Sequence, residues 1–189
     1  MTYNYLKYVA KSERYSIILY QVSDLQQKQI TNTAKITERF PIPAEGRILA
    51  IDPGTKRVGL AVCDPLRITV RPVTTIERGS WKSLLAKIEA QILELDAVAV
   101  VVGLPLESSG EESPMSVEAR SIARKLSLSL KVPVFLQDER VSSYEAKRRL
   151  WEQGINLAET RKRVDAEAAA IILEDFLGLL SSPLPPVEE

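Results

Sequence analysis

The sequence predicts an α/β domain in which a mixed sheet of five strands is flanked by helices. Three observations lead there. Short β-branched and apolar runs follow one another between residues 47 and 75, with turn residues between them. After residue 80 the apolar spacing changes to the helical period. Further on, unbroken apolar runs alternate with helical stretches, the pattern of strands covered on both faces and joined by crossovers.

Taken in order, Arg47–Asp52 is a short apolar strand ended by Pro53-Gly54, and Val58–Cys63 is close enough to pair with it as a hairpin. Ile68–Thr75 is β-branched and completes a three-strand meander. Trp81, Leu84, Leu85, Ile88, Ile92 and Leu95 mark one face of a helix, and Ala97–Val102 is the buried strand that follows. Ser113 caps the next helix with Pro114 at its first position, and Met115, Ala119, Ile122, Leu126 and Leu130 line one face. Val134–Gln137 is the fifth strand. Ser142 with Glu145 forms a capping box for a helix that Gly154 stops, and a final helix is expected to start near Asp165.

The first 44 residues read differently. Five of the six tyrosines fall in the first twenty residues, and a polar Gln/Thr/Asn stretch leads to Pro41 and Pro43. Residues 1–44 are therefore expected to be a flexible extension, with room for a short docked element. Residues 45–180 form the domain, and 181–189, with Pro183 to Pro186, form a tail. Hydrophobic residues make up 45% and charged residues 26% of the 189, with no apolar run long enough for a transmembrane helix. The apolar cluster Ile17–Tyr20 is too short and too late for a secretory signal, so a cytoplasmic location is expected.

Absences narrow the chemistry. There is no histidine, which excludes Ser-His-Asp catalysis, histidine-based zinc sites and imidazole bases. The single cysteine, Cys63, lies in an apolar stretch and reads as a core residue. Carboxylates, lysines, arginines, hydroxyls and the lone thiol remain as catalytic groups, and carboxylates favour hard ions such as Mg²⁺ or Mn²⁺. The formal charge is zero but unevenly spread: Arg120–Arg163 holds eleven Lys/Arg against five Asp/Glu, a net +6. That stretch suits phosphate contacts, and a set of solvated helix faces is the competing reading.

Four motifs in order resemble a known family. Ile51-Asp52-Pro53-Gly54-Thr55-Lys56-Arg57-Val58-Gly59 resembles the Asp-x-Gly-x-x-Arg-x-Gly opening of the YqgF proteins. These are a ribonuclease H-like branch related to Holliday-junction resolvases. Val101-Val102-Gly103-Leu104-Pro105, Asp138-Glu139-Arg140, and Val164-Asp165 with Ala168-Ala169 are similar to its later motifs. The resemblance covers residues 47–177 and implies a ribonuclease H-like fold and a nuclease. It implies maturation of small-subunit ribosomal RNA, at the 5′ end of the 16S precursor, with Holliday-junction cleavage as the runner-up. The loop Glu107–Pro114 departs from the family with two added acids, Glu111 and Glu112.

The chemistry asks for the same residues. Hydrolysis of a phosphodiester by two metals needs carboxylates that converge on ions about 3.5–4 Å apart. Asp52 lies at the end of one strand, Glu139 just beyond another, and Asp165 at a helix start, so all three could share one sheet edge. They are the expected catalytic and metal residues, with Asp138 in reserve. Each also has a plain structural reading, as a turn residue, a helix cap or an ion-pair partner of Arg140. Lys56, Arg57, Arg140, Arg148, Arg161, Lys162 and Arg163 are the expected nucleic-acid contacts, with a hydrogen bond or salt bridge that closes the turn as the competing reading for Lys56 and Arg57. Tyr144, Arg148 and Trp151 share a helical face that either grips nucleotides or packs in the core. The expected partners are an RNA precursor before branched DNA, and ribosomal particles, with no membrane; a monomer or a homodimer fits. A silent nucleic-acid-binding module and an actin-like ATPase are the other classes that the motifs leave open.

Overall fold

The computed structural model describes residues 6–11, 16–21, 43–105, 113–138 and 157–181. Its strands are β1 (Leu6–Lys11), β2 (Ser16–Gln21), β3 (Arg47–Pro53), β4 (Arg57–Cys63), β5 (Val70–Glu77), β6 (Ala97–Leu104) and β7 (Val134–Asp138). Its helices are α1 (Trp81–Glu94), α2 (Pro114–Ser129) and α3 (Leu157–Ser181).

One sheet runs in the order β1-β2-β7-β6-β3-β4-β5. Within it lie the five strands that the apolar pattern predicts. β3, β4 and β5 form the antiparallel meander, and β6 and β7 add in parallel on the other side of β3. Two more strands come from the segment read as an extension: β1 and β2 pair as a hairpin, and β2 lies antiparallel along β7. They cover an edge that would otherwise present unpaired backbone groups.

Strand alternation divides the sheet residues between two cores. Leu49, Ile51, Val58, Leu60, Val100 and Val102 face α1 and α2, where Leu84, Ile88, Ile122 and Leu126 are buried. Ile48, Ala50, Ala61, Cys63, Val101 and Phe135 face α3 and pack on Ala169, Ile172, Leu173 and Phe176. The Phe135 and Phe176 rings are 5.4 Å apart. Cys63 is buried and accepts from the Ile48 amide at 3.1 Å, which matches its reading as a core residue.

α2 begins as expected, with Ser113 as the cap in a reciprocal box with Ser116 and Pro114 at the first position. Ser116 also donates to the Pro105 carbonyl, tying the start of α2 to the end of β6. Ala119, Ile122 and Leu126 are buried, as the spacing predicts, but Met115 is 47% exposed. Met115, in the first turn of α2, instead lines a cleft beside Pro105 at the end of β6.

α3 differs from expectation at its start. It begins at Leu157, so Asp165 lies two turns inside the helix and caps nothing. No glycine or proline stands between Leu157 and Asp165 to break the helix earlier. The helix expected between Ser142 and Gly154, with Tyr144, Arg148 and Trp151, lies outside the described residues.

Candidate active site

Register brings the site together. Asp52 lies opposite Gly59 in the β3–β4 ladder, and directly opposed residues point to the same face. That face carries Ile48, Ala50 and Ala61, so Asp52 points toward α3. A Cβ on Gly59 would fall 1.8 Å from the Asp165 carbonyl oxygen and 2.8 Å from the Ala166 nitrogen. Glycine therefore lets the α3 backbone rest on β4 at this point, and the run of small residues Ala166, Ala168, Ala169 and Ala170, all buried, continues the close approach. Asp165 is thereby delivered beside Asp52.

Arg57 is two residues before Gly59 on β4 and so on the same face. Its Nε donates to Asp165 Oδ2 at 2.7 Å, with the two side chains 38% and 23% exposed. Burial, and then the negative charge of Asp165, push the Asp52 carboxyl up to about 7. An acid held in that way is eased into its charged form by a nearby cation.

The turn that follows Asp52 is held by backbone contacts. The Gly54 amide donates to the Asp52 carbonyl at 3.1 Å, and a Cβ on Gly54 would meet the Arg57 carbonyl oxygen at 2.5 Å. Arg78, just after β5, donates through Nη1 to the Gly54 carbonyl at 3.3 Å and pairs through Nη2 with Glu118 on α2. Its own amide donates to the Lys56 carbonyl at 2.9 Å.

These elements enclose a cleft of about 380 Å³ lined by Asp52, Gly54, Lys56, Arg57, Met115 and Asp165, among others. It opens at the carboxyl ends of β3 and β6, with Pro105 on its wall, where ligands gather in open α/β sheets. A second cleft of about 530 Å³ shares Lys56 and Arg57 with it and is completed by Glu77 and Arg78.

The structure thus joins Asp52, Asp165, Lys56 and Arg57 in one place. Asp138 ends β7, paired with Leu104, and nothing further of its side chain is described. Glu139, Arg140 and Arg148 lie outside the described residues, as do the side chains of Arg161, Lys162 and Arg163 on α3. Among the described residues no three carboxylate, thiol or imidazole groups cluster as a metal site; Asp52 and Asp165 are a pair. Two residues escaped the sequence reading. Gly59 was visible only as a motif member, and Arg78 carried no signal, because its partner Glu118 lies 40 residues away.

Fold and cleft define an α/β domain of mixed sheet with two carboxylates at the edge where its parallel strands end. Comparison with known proteins makes the class specific: residues 46–178 match the model of the RuvX family, described as "Holliday junction resolvase". The chain belongs to this family, as its resemblance to the YqgF proteins implied. A relative from Anaeromyxobacter sp. (strain Fw109-5), named "Putative pre-16S rRNA nuclease", is 44% identical over 131 residues, 69% of this chain and 96% of the relative. One of the same name from Koribacter versatilis (strain Ellin345) is 40% identical over 137 residues, 72% of this chain and 90% of the relative. Among solved structures, a fowlpox virus resolvase in complex with Holliday junction DNA is 14% identical with a TM-score of 0.46, covering 72% of this chain and 99% of that one. Among the described residues no helix is long and apolar enough to cross a membrane.

Proposed function

We propose that this protein is a metal-dependent nuclease that hydrolyses phosphodiester bonds at the Asp52–Asp165 cleft, acting on the 5′ end of the 16S ribosomal RNA precursor in the cytoplasm. The observation that carries the reading is the convergence of Asp52 and Asp165 in an open cleft rimmed by Lys56 and Arg57. The names of the relatives support the RNA substrate.

The donor set suits a hard divalent ion. Both available groups are carboxylates, the chain has no histidine, and its one thiol is buried in the core. Asp52 and Asp165 would hold Mg²⁺ or Mn²⁺, with Glu139, the residue after the end of β7, as the third ligand and Asp138 in reserve. Bound ions supply positive charge to activate water and to stabilise the leaving oxygen. Arg57 fixes Asp165 through the 2.7 Å ion pair, and burial limits the water around Asp52. Lys56, with Arg140, Arg148, Arg161, Lys162 and Arg163, positions the phosphate backbone, while the carboxylates set where it is cut.

The family description favours a second substrate, a four-way DNA junction. One RNA strand needs one active site, whereas a junction needs two acting on opposed strands, so solution mass bears on the choice. The test is cleavage of an RNA spanning the 5′ end of the precursor, beside a four-way DNA junction, in Mg²⁺ and in EDTA. Metal-dependent cutting of the RNA is expected, cutting of the junction alone moves the assignment to DNA, and cutting of neither contradicts the nuclease.

A further inference from the structure

Beside the carboxylate cleft lies a second one with a different character. Its lining, Lys56, Arg57, Glu77 and Arg78, holds three cations and one carboxylate, and it shares Lys56 and Arg57 with the first. Arg57 is committed to Asp165. Lys56 is exposed, and among the described residues no ion pair to it is found.

Arg78 is held in place from two sides. One terminal nitrogen donates to the Gly54 carbonyl in the turn after Asp52, and the other pairs with Glu118. A guanidinium has five N–H donors in a rigid planar fork, so these two contacts orient the group and leave others to offer. Its side chain is 21% exposed, that of Glu118 43%. Glu118 is therefore the more accessible member of the pair.

We propose that Lys56 and Arg78 form a second phosphate-binding groove, which takes the nucleic-acid backbone next to the phosphate at Asp52 and Asp165, with Glu118 as the counter-ion that a phosphate displaces. The strand then crosses the Gly54–Lys56 turn between the two clefts. The inference rests on the nuclease reading of the first cleft. Arg78 binds a planar anion through its fork, and Lys56 adds a point charge.

The groove is tested by binding of a labelled single-stranded RNA of mixed sequence, in EDTA to prevent cleavage, over a series of salt concentrations. Lys56→Gln should weaken binding and lower the log–log salt slope by about 0.7, the value for one lost contact on a single strand. Glu118→Gln should tighten binding, because it removes a competing carboxylate and releases Arg78. Both changes are at exposed or half-exposed positions, and thermal melting checks that each variant is folded. A brace that merely held the fold together would give the opposite sign at Glu118, since loss of the ion pair would loosen the site. Unchanged binding in Lys56→Gln, or unchanged or weaker binding in Glu118→Gln, overturns the groove; the first result also removes Lys56 from the phosphate contacts, and either leaves cleavage at Asp52 and Asp165 intact. Absence of salt-dependent RNA binding by the parent overturns both.

Discussion

The α3 backbone at Asp165 rests directly on Gly59, so closely that a Cβ on Gly59 would sit 1.8 Å from the Asp165 carbonyl oxygen. Because Gly59 is also the cross-strand partner of Asp52, one missing side chain sets the distance between the two carboxylates. Gly59→Ala should push α3 away from β4. Overpacking of this kind costs about 1–3 kcal/mol, and the obstacle here is backbone, which cannot rotate aside. Thermal melting should show the loss of stability, and nuclease activity should fall further than stability alone explains. A variant as stable and active as the parent would show that the helix is not seated on this glycine.

Asp52 gives the metal-free protein a characteristic pH dependence. Its folded-state pKa, raised to about 7 from 3.8 by burial and by Asp165, means that the folded protein holds this proton more tightly than the unfolded chain. The contribution is therefore greatest below about pH 4 and declines as pH rises toward 7, with a slope of at most about 1.4 kcal/mol per pH unit. Asp64 shifts the other way, its carboxylate held low by the amides of Thr69 and Ile68, and adds stability that is lost as pH falls below the ordinary carboxylate range. The difference between parent and Asp52→Asn isolates the first effect. Denaturant unfolding in EDTA should show parent stability declining from pH 5 to pH 7 relative to the variant, and Mg²⁺ should reduce that decline by favouring the ionised form. Parallel curves for the two proteins would refute the shift.

Arg57 is paired with Asp165 through Nε, so on the proposed reading its effect on the reaction runs through that carboxylate. Arg57→Gln should lower kcat more than it raises KM, because Asp165 loses the partner that fixes its orientation. Arg57→Lys should recover part of the loss, since it keeps the charge but not the fork geometry. A change confined to KM would instead mark Arg57 as a substrate contact alone.

Much of this fold is legible in the sequence. The strands from Arg47 to Gln137 and the first two helices follow from apolar period and from residues such as Ser113-Pro114, whose preference is local. Asp52 was legible because it ends a buried strand in a motif. The start of α3 was not, since Leu157 to Val164 contains no breaker and Asp165 offered a plausible cap. Nor was the place of β1 and β2 in the sheet: the pairing of β2 with β7 joins residues more than a hundred positions apart, and sequence carries no local sign of such a register. The roles of Gly59 and Arg78 depend on that same non-local information.

Deletion of residues 1–44 should leave a folded, active domain that associates more readily. The Anaeromyxobacter relative is matched over 96% of its length by 131 residues of this chain, which leaves no room in it for such a segment. Removal of β2, however, bares the edge of β7, and a bare edge invites pairing with another chain. Melting and light scattering together test this. Loss of a cooperative transition would show instead that the segment belongs to the core unit.

The central claim is that Asp52 and Asp165 form one metal-dependent catalytic unit. The most direct measurement is single-turnover cleavage of the precursor RNA in Mg²⁺ by the parent, Asp52→Asn, Asp165→Asn and the double variant, each shown to be folded. Each single variant should be slower by on the order of a thousandfold or more, and the double variant little slower than either, because ligands of one site fail together. Magnesium-dependent cleavage by Asp52→Asn at the parent's rate would contradict the assignment.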